Sequence, residues 1–110
     1  MIHSINPSTG ELIKEYPIYS KNKINSIICR VSTEYEQWKI TTFEERSKTL
    51  INIANALSKN IEEHAKMISI EIGKPITESR GEIKKCIWVL KFFAKNSQEF
   101  LKNEIIKTDY

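Results

Sequence analysis

The sequence predicts a mainly α chain, about four helices preceded by a short β-hairpin, and three observations carry that prediction. Apolar residues recur at spacings of three and four through most of residues 20–102. Helix-start signals stand at the head of these runs, with Ser20, Thr42 and Asn60 each preceding one. Gly and Pro number only 3 each in 110 residues, too few for a loop-rich or low-complexity chain.

Residues 1–18 read as two extended segments, Ile2-His3-Ser4-Ile5 and Leu12-Ile13-Lys14-Glu15-Tyr16, around Asn6-Pro7-Ser8-Thr9-Gly10. Asn-Pro initiates the turn, and Gly10 allows a positive φ on the way out. A two-stranded ribbon is marginal by itself and needs something to lie on.

From Ser20, the positions Ile24, Ile27, Ile28, Val31, Tyr35 and Trp38 form one helical stripe, expected to be buried. Thr42 and Glu45 then have the spacing of a capping box, opening a second helix that is expected to bury Phe43, Leu50, Ile53, Ala54 and Leu57. Ile61, Ala65, Ile68 and Ile72 mark a third. Gly73 past its last turn and Pro75 two residues on stop it, because Gly adopts the left-handed backbone a helix end needs and Pro cannot extend the helix. A fourth and longest helix starts at Pro75 or Thr77 and carries Ile83, Ile87, Leu90, Phe93, Ala94 and Leu101. Trp88, Phe92 and Phe100 widen its apolar surface beyond one stripe, which implies contacts on more than one side. Residues 103–110 form a tail in which Ile105 and Ile106 are odd for a free end.

The chain's length suits one domain with a modest core. Its 17 basic and 14 acidic residues are interspersed, so the net +3 reads as a solvated surface and nucleic acid is not an expected partner. No segment approaches the ~20 apolar residues of a membrane span, and the N-terminus lacks a signal-peptide pattern, so a cytoplasmic location without membrane contact is expected. Cys29 and Cys86 lie in helical patterns without paired metal spacing and read as reduced core or boundary residues.

Chemistry-bearing motifs are sparse. There is no glycine-rich phosphate loop, zinc helix, Cys-x-x-Cys pair or Gly-x-Ser-x-Gly elbow. His3 and His64 are solitary, and a Cys in a helix interior, as at Cys86, is ordinarily inert. Trp88, Phe92 and Phe93 suit packing better than base stacking, given their helical spacing. Glu71 is the exception: a carboxylate in a last helical turn, where the peptide dipoles already leave negative charge, calls for a cation. Lys74, Arg80 and a bound ion are the available answers.

In order and separation, Asn6-Pro7-Ser8-Thr9-Gly10-Glu11, the helix ending near Trp38, the Glu44-Glu45-Arg46 helix start, Glu71-Ile72-Gly73-Lys74-Pro75 and Glu78-Ser79-Arg80-Gly81-Glu82 resemble the amino-terminal segment of NAD(P)-dependent aldehyde dehydrogenases. The resemblance covers essentially the whole chain, and Glu71 to Phe93 is most similar to the succinate-semialdehyde branch. Family members are several times longer, and their dinucleotide-binding fold, general-base Glu and nucleophilic Cys come later in the chain. The resemblance therefore implies no catalytic and no cofactor-binding residue here, and a chain inactive alone that needs a downstream partner segment. NAD or NADP would serve the full-length enzyme, whose reaction is aldehyde oxidation.

Within the chain, the resemblance implies a monovalent-cation site formed by backbone carbonyls of Ser4 and Ile5 with the Glu71 carboxylate, against the plainer role of a salt-bridged or solvated Glu71. It also implies that the first turns of the fourth helix face the substrate tunnel. Aminoaldehyde-oxidising relatives are acidic at the positions of Glu82 and Lys85, so the basic Lys85, with Lys84 beside it, would favour a substrate with a distal carboxylate; a merely solvated lysine is the alternative. A helical interaction module that self-associates or docks on another chain is the second functional class, and a homo-oligomer is expected from the breadth of the fourth helix.

Overall fold

The computed structural model describes residues 1–109. Two strands, β1 (Ile2–Ile5) and β2 (Leu12–Tyr16), are followed by α1 (Lys21–Trp38), α2 (Phe43–Lys59), α3 (Ile61–Ile72) and α4 (Ile76–Phe100). The strands pair antiparallel, Ile2 opposite Tyr16 and Ser4 opposite Lys14, and the register then slips so that Ile5 faces Leu12. Ile13 is the extra residue, which bends the ribbon at its turn end. Asn6 organises that turn: its side-chain oxygen accepts from the Ser8 amide at 2.9 Å and its carbonyl from Gly10, which takes φ +74°.

The helix boundaries follow local chemistry. Ser20 caps α1 by accepting from the Lys23 amide, and the Thr42–Glu45 capping box is complete in both directions. The Glu45 carboxyl is accordingly held below its usual 4.5, first by the Thr42 backbone amide and then by the Thr42 hydroxyl. Gly73 ends α3 at φ +79°. Pro75 is the residue just before α4 and does not occupy its first turn; it stands extended at ψ 138°, with Ile76 the first helical residue.

The folded unit is α2, α3 and α4. Helix α4 packs along both α2 and α3, while α2 and α3 barely meet. Small side chains set the spacing: Ala54 of α2, Ala65 of α3 and Ser79 of α4 are fully inaccessible, and the larger Ile83 of α4 is nearly so. The buried Ser79 hydroxyl meets Ser69 at 2.9 Å, and Ser47 donates to the Ala94 carbonyl at 2.6 Å, so polar cross-links stitch α4 to each neighbour. Two ion pairs, Arg80–Glu62 and Lys74–Glu82, add to the α3–α4 side.

Several expectations about burial are corrected. The α1 stripe is not buried: no residue of α1 is inaccessible, and Ile28, Val31 and Tyr35 are 59%, 62% and 58% exposed. Ile53, Ile72, Phe93 and Leu101 are likewise exposed, as are Cys29 and Cys86. The reason is shape. The radius of gyration is 19.9 Å, against about 13 Å for a compact domain of this length, and the longest extent is 68 Å. Helix α1 reaches away from the three-helix unit, so most of its stripe meets no helix face; only Trp38, at its end, borders a hollow with Phe43, Leu50 and Phe93 of α2 and α4. The modest core expected of one domain is reduced to a seam between α4 and its neighbours.

Candidate functional site

Two places gather the residues singled out by sequence. The first is the corner between α3 and α4, where the hairpin turn comes to rest. Ser4, half-buried in β1, donates its hydroxyl to Glu71 Oε1 at 2.8 Å across 67 residues of chain. A methyl group added at Gly73 would stand 3.1 Å from Pro7 Cγ, so the turn lies directly against the corner and the absence of a side chain there lets it approach. The question of the partner of Glu71 is answered in part. Lys74 binds Glu82 and Arg80 forms a two-pronged pair with Glu62 at 2.7 and 2.9 Å. These pairs raise both basic groups above their usual values, each mainly through its hydrogen bond, and the Arg80 pair holds Glu62 below 4.5. Neither cation is spent on Glu71, whose described side-chain contact is the Ser4 hydroxyl.

The second place is a groove along one face of α4, about 580 Å³, lined by Glu82, Lys85, Cys86, Val89 and Leu90. These residues recur at helical spacing, so one face of one helix supplies an apolar floor with two charges at its rim. The charges differ in availability. Glu82 is held by Lys74, whereas Lys85 makes no ion pair among the described residues. An open apolar trough with one free ammonium at its edge suits a small molecule having an aliphatic body and an anionic end.

Ser4 and Glu71 are thus brought together, with Ile5 next to Ser4 at the strand's end, while Lys85 lies on a different surface. Sequence reasoning missed Cys86, Val89 and Leu90 as groove residues. The signal was their spacing from Lys85, but α4 is apolar on several sides and periodicity alone does not say which side faces a ligand. No helix among the described residues is long and apolar enough to cross a membrane.

Comparison with known proteins bears on the whole chain. The family model described as the aldehyde dehydrogenase family matches residues 1–110. Among curated relatives, a probable NADP(+) succinate-semialdehyde dehydrogenase of Synechocystis sp. is 28% identical over 98% of this chain and 24% of its own length. The NAD(P)+ succinate semialdehyde dehydrogenase Sad of Escherichia coli is 33% identical over 92% of this chain and 22% of its own length. Among solved structures, the glyceraldehyde-3-phosphate dehydrogenase GapN of Methanocaldococcus jannaschii, complexed with NADP, superposes on 99% of this chain with TM-score 0.91 and 31% identity, using 24% of its own chain. A succinic semialdehyde dehydrogenase of Streptococcus pyogenes with NADP+ gives TM-score 0.90 at 26% identity, over 97% of this chain and 24% of its own. The chain spans about a quarter of the length of the relatives it matches.

Proposed function

The chain belongs to the aldehyde dehydrogenase family, and from that premise we propose that it is the amino-terminal part of an enzyme oxidising succinate semialdehyde, or a similar short aldehyde with a distal carboxylate, to the acid. The observation that carries this reading is that curated succinate-semialdehyde dehydrogenases match over 92–98% of the chain. The surface of α4 supports it. Lys85 would pair with the distal carboxylate, Val89 and Leu90 would pack against the methylenes and exclude water, and the Glu82 charge, neutralised by Lys74, would not repel the substrate.

NAD or NADP would accept the electrons released by the aldehyde. The residues of this chain do not fit that cofactor, for they include no glycine-rich phosphate turn, and no catalytic nucleophile or general base is assigned among them. In this reading those groups reside on the remaining polypeptide, and the chain alone turns over no aldehyde in its cytoplasmic setting. The backbone carbonyls of Ser4 and Ile5 and the Glu71 carboxylate would hold a monovalent cation: all are hard oxygens, the hydrogen bond from the Ser4 hydroxyl brings this strand end to Glu71, and no ion pair among the described residues neutralises that carboxylate. The ion would fasten the strand end to the end of α3.

A chimera tests the reading. This chain replaces the matched segment of the Escherichia coli relative, and succinate-semialdehyde-dependent NADPH formation is measured. Turnover by the chimera, absent from the isolated chain, is expected; a folded chimera without turnover defeats the proposal. In the same protein, Lys85→Glu is expected to lower kcat/KM for succinate semialdehyde about fivefold to tenfold relative to an uncharged aldehyde, the scale of one weakened ion pair. Glu71→Gln is expected to abolish any dependence of thermal stability on potassium.

A second reading, assembly through α4, rests on the exposed ladder in which Trp88 stacks on Phe92 at 5.3 Å and Phe92 contacts Phe93 and Phe100. Light scattering on the isolated chain decides it, since a monomer at all accessible concentrations removes self-association.

A further inference from the structure

The last turn of α1 contains no basic residue, although its peptide dipoles leave negative charge on the final carbonyls. The cation comes from the next helix. Arg46, in the first turn of α2, reaches back across the joint: its Nε donates to the Thr41 hydroxyl at 3.0 Å, and one terminal nitrogen donates to the carbonyls of Lys39 at 2.9 Å and Thr41 at 3.0 Å. Thr41 in turn donates to the Trp38 carbonyl at 2.7 Å, and the Phe43 ring lies 5.6 Å from the guanidinium carbon. Arg46, Thr41 and Phe43 are all half-buried. One planar, permanently charged head thus ties the end of α1 to α2 in a single geometry, which the lone ammonium of a lysine lacks the fork to reproduce.

We propose that Arg46 is a positioning residue for the Ser4–Glu71 corner, acting through α1 as a rigid strut. Three observations carry this. First, beyond Trp38 at its very end, no other element packs along α1, so its direction relative to α2 depends on the joint that Arg46 holds.

Second, the far end of α1 is fastened to the hairpin. Pro17 stiffens the link, Ser20 caps the helix, and Ile24 shares a hollow of about 420 Å³ with Ile2, Tyr16, Ile18 and Tyr19. Movement of that end therefore carries the strands with it.

Third, the hairpin's own hold on the corner is slight. It consists of the exposed Ser4–Glu71 hydrogen bond at 2.8 Å and of Pro7 resting against Gly73. The 18 residues of α1 make an arm of about 27 Å, so a swing of about 10° at the joint displaces the far end by about 5 Å, more than a hydrogen bond tolerates. Each clasp holds one end of the same rod, and release of either loosens the other.

The test uses the full chain. Cys29 on α1 and Cys86 on α4 are both exposed and take nitroxide labels without any substitution, so electron–electron resonance reads the distance between the strut and the three-helix unit. Amide hydrogen exchange reads the hairpin. The unmodified chain is expected to give one narrow distance. Arg46→Lys is expected to broaden it and to speed exchange in residues 2–16 more than about tenfold, with exchange at Ala65 and Ile83 unchanged. Lys48→Gln, a neutralising change on the exposed side of α2, alters neither readout. Ser4→Ala speeds hairpin exchange to a similar degree, and the double variant speeds it no further, since the unit is already released. A broad distance distribution in the unmodified chain overturns the proposal, as does hairpin exchange unmoved by Arg46→Lys or a double variant whose effects simply add. Acceleration at Ile83 equal to that in the hairpin overturns it as well, because Arg46 would then serve the stability of the whole chain.

Discussion

Helix α3 inserts Ala65 fully, and Ile61 and Ile68 partly, against its neighbours; helix α1, patterned on the same three-and-four spacing, leaves Ile28, Val31 and Tyr35 in water. The two sequences state the same need for a partner. What differs is the neighbour the chain provides. Gly73 and Pro75 fold α4 back along α3 at once, with Ser69–Ser79 and Glu62–Arg80 fixing the alignment, whereas α1 runs into α2 through a turn that sends it outward. Amphipathic periodicity thus reports that a face is to be covered and says nothing about whether the cover belongs to the same chain.

The comparison can be broken most forcefully from the packed side. Ile83→Ala, at a site only 7% exposed between α4 and its neighbours, is expected to cost about 3 kcal/mol and to shift the urea midpoint of the isolated chain strongly downward. A small shift there would mean that the three-helix unit is no better packed than α1. Gly73→Ala is expected to cost about 1–2 kcal/mol, since it puts a side chain at φ +79° and drives a methyl towards Pro7; proteolysis of the hairpin should accelerate beyond what the stability loss alone explains.

Acidification gives a smaller effect with a defined sign. Glu45 and Glu62 have folded-state values below 4.5, so their contribution is complete above that pH and is lost as pH falls through the depressed values. Thermal unfolding followed from pH 6 to pH 2 should show the midpoint falling below about 4.5, with Glu45→Gln removing the share owed to Glu45 and Thr42→Ala only the smaller part due to the hydroxyl. Smallest of all, Val31→Ala in the isolated chain is expected to change stability by less than about 0.5 kcal/mol. A loss comparable to that of Ile83→Ala would show that this face of α1 is already covered.

Local chemistry made most of the fold legible. Ser20, Thr42 with Glu45, and Gly73 fix helix ends through contacts within a few residues, and Asn6 and Gly10 do the same for the hairpin turn. What sequence could not supply was long-range placement. That Ala54, Ala65 and Ser79 are the inaccessible positions, and the large Trp88 and Phe92 are not, depends on how closely α4 approaches each neighbour. The Ser4–Glu71 contact joins residues with no local relation, and only resemblance to a family put them together beforehand. Lys85 was visible as a charge on a helix, but its groove emerged only with the orientation of α4.

The clasp between Ser4 and Glu71 has a bearing on the order of events during folding. Closing a flexible loop of 67 residues costs on the order of 4 kcal/mol of chain entropy, while one exposed hydrogen bond returns about 1 kcal/mol. The hairpin therefore cannot recruit the corner from an unfolded chain. It must arrive after α2, α3 and α4 have set and α1 has shortened the distance between them, which makes the first strand of the sequence among the last elements to settle.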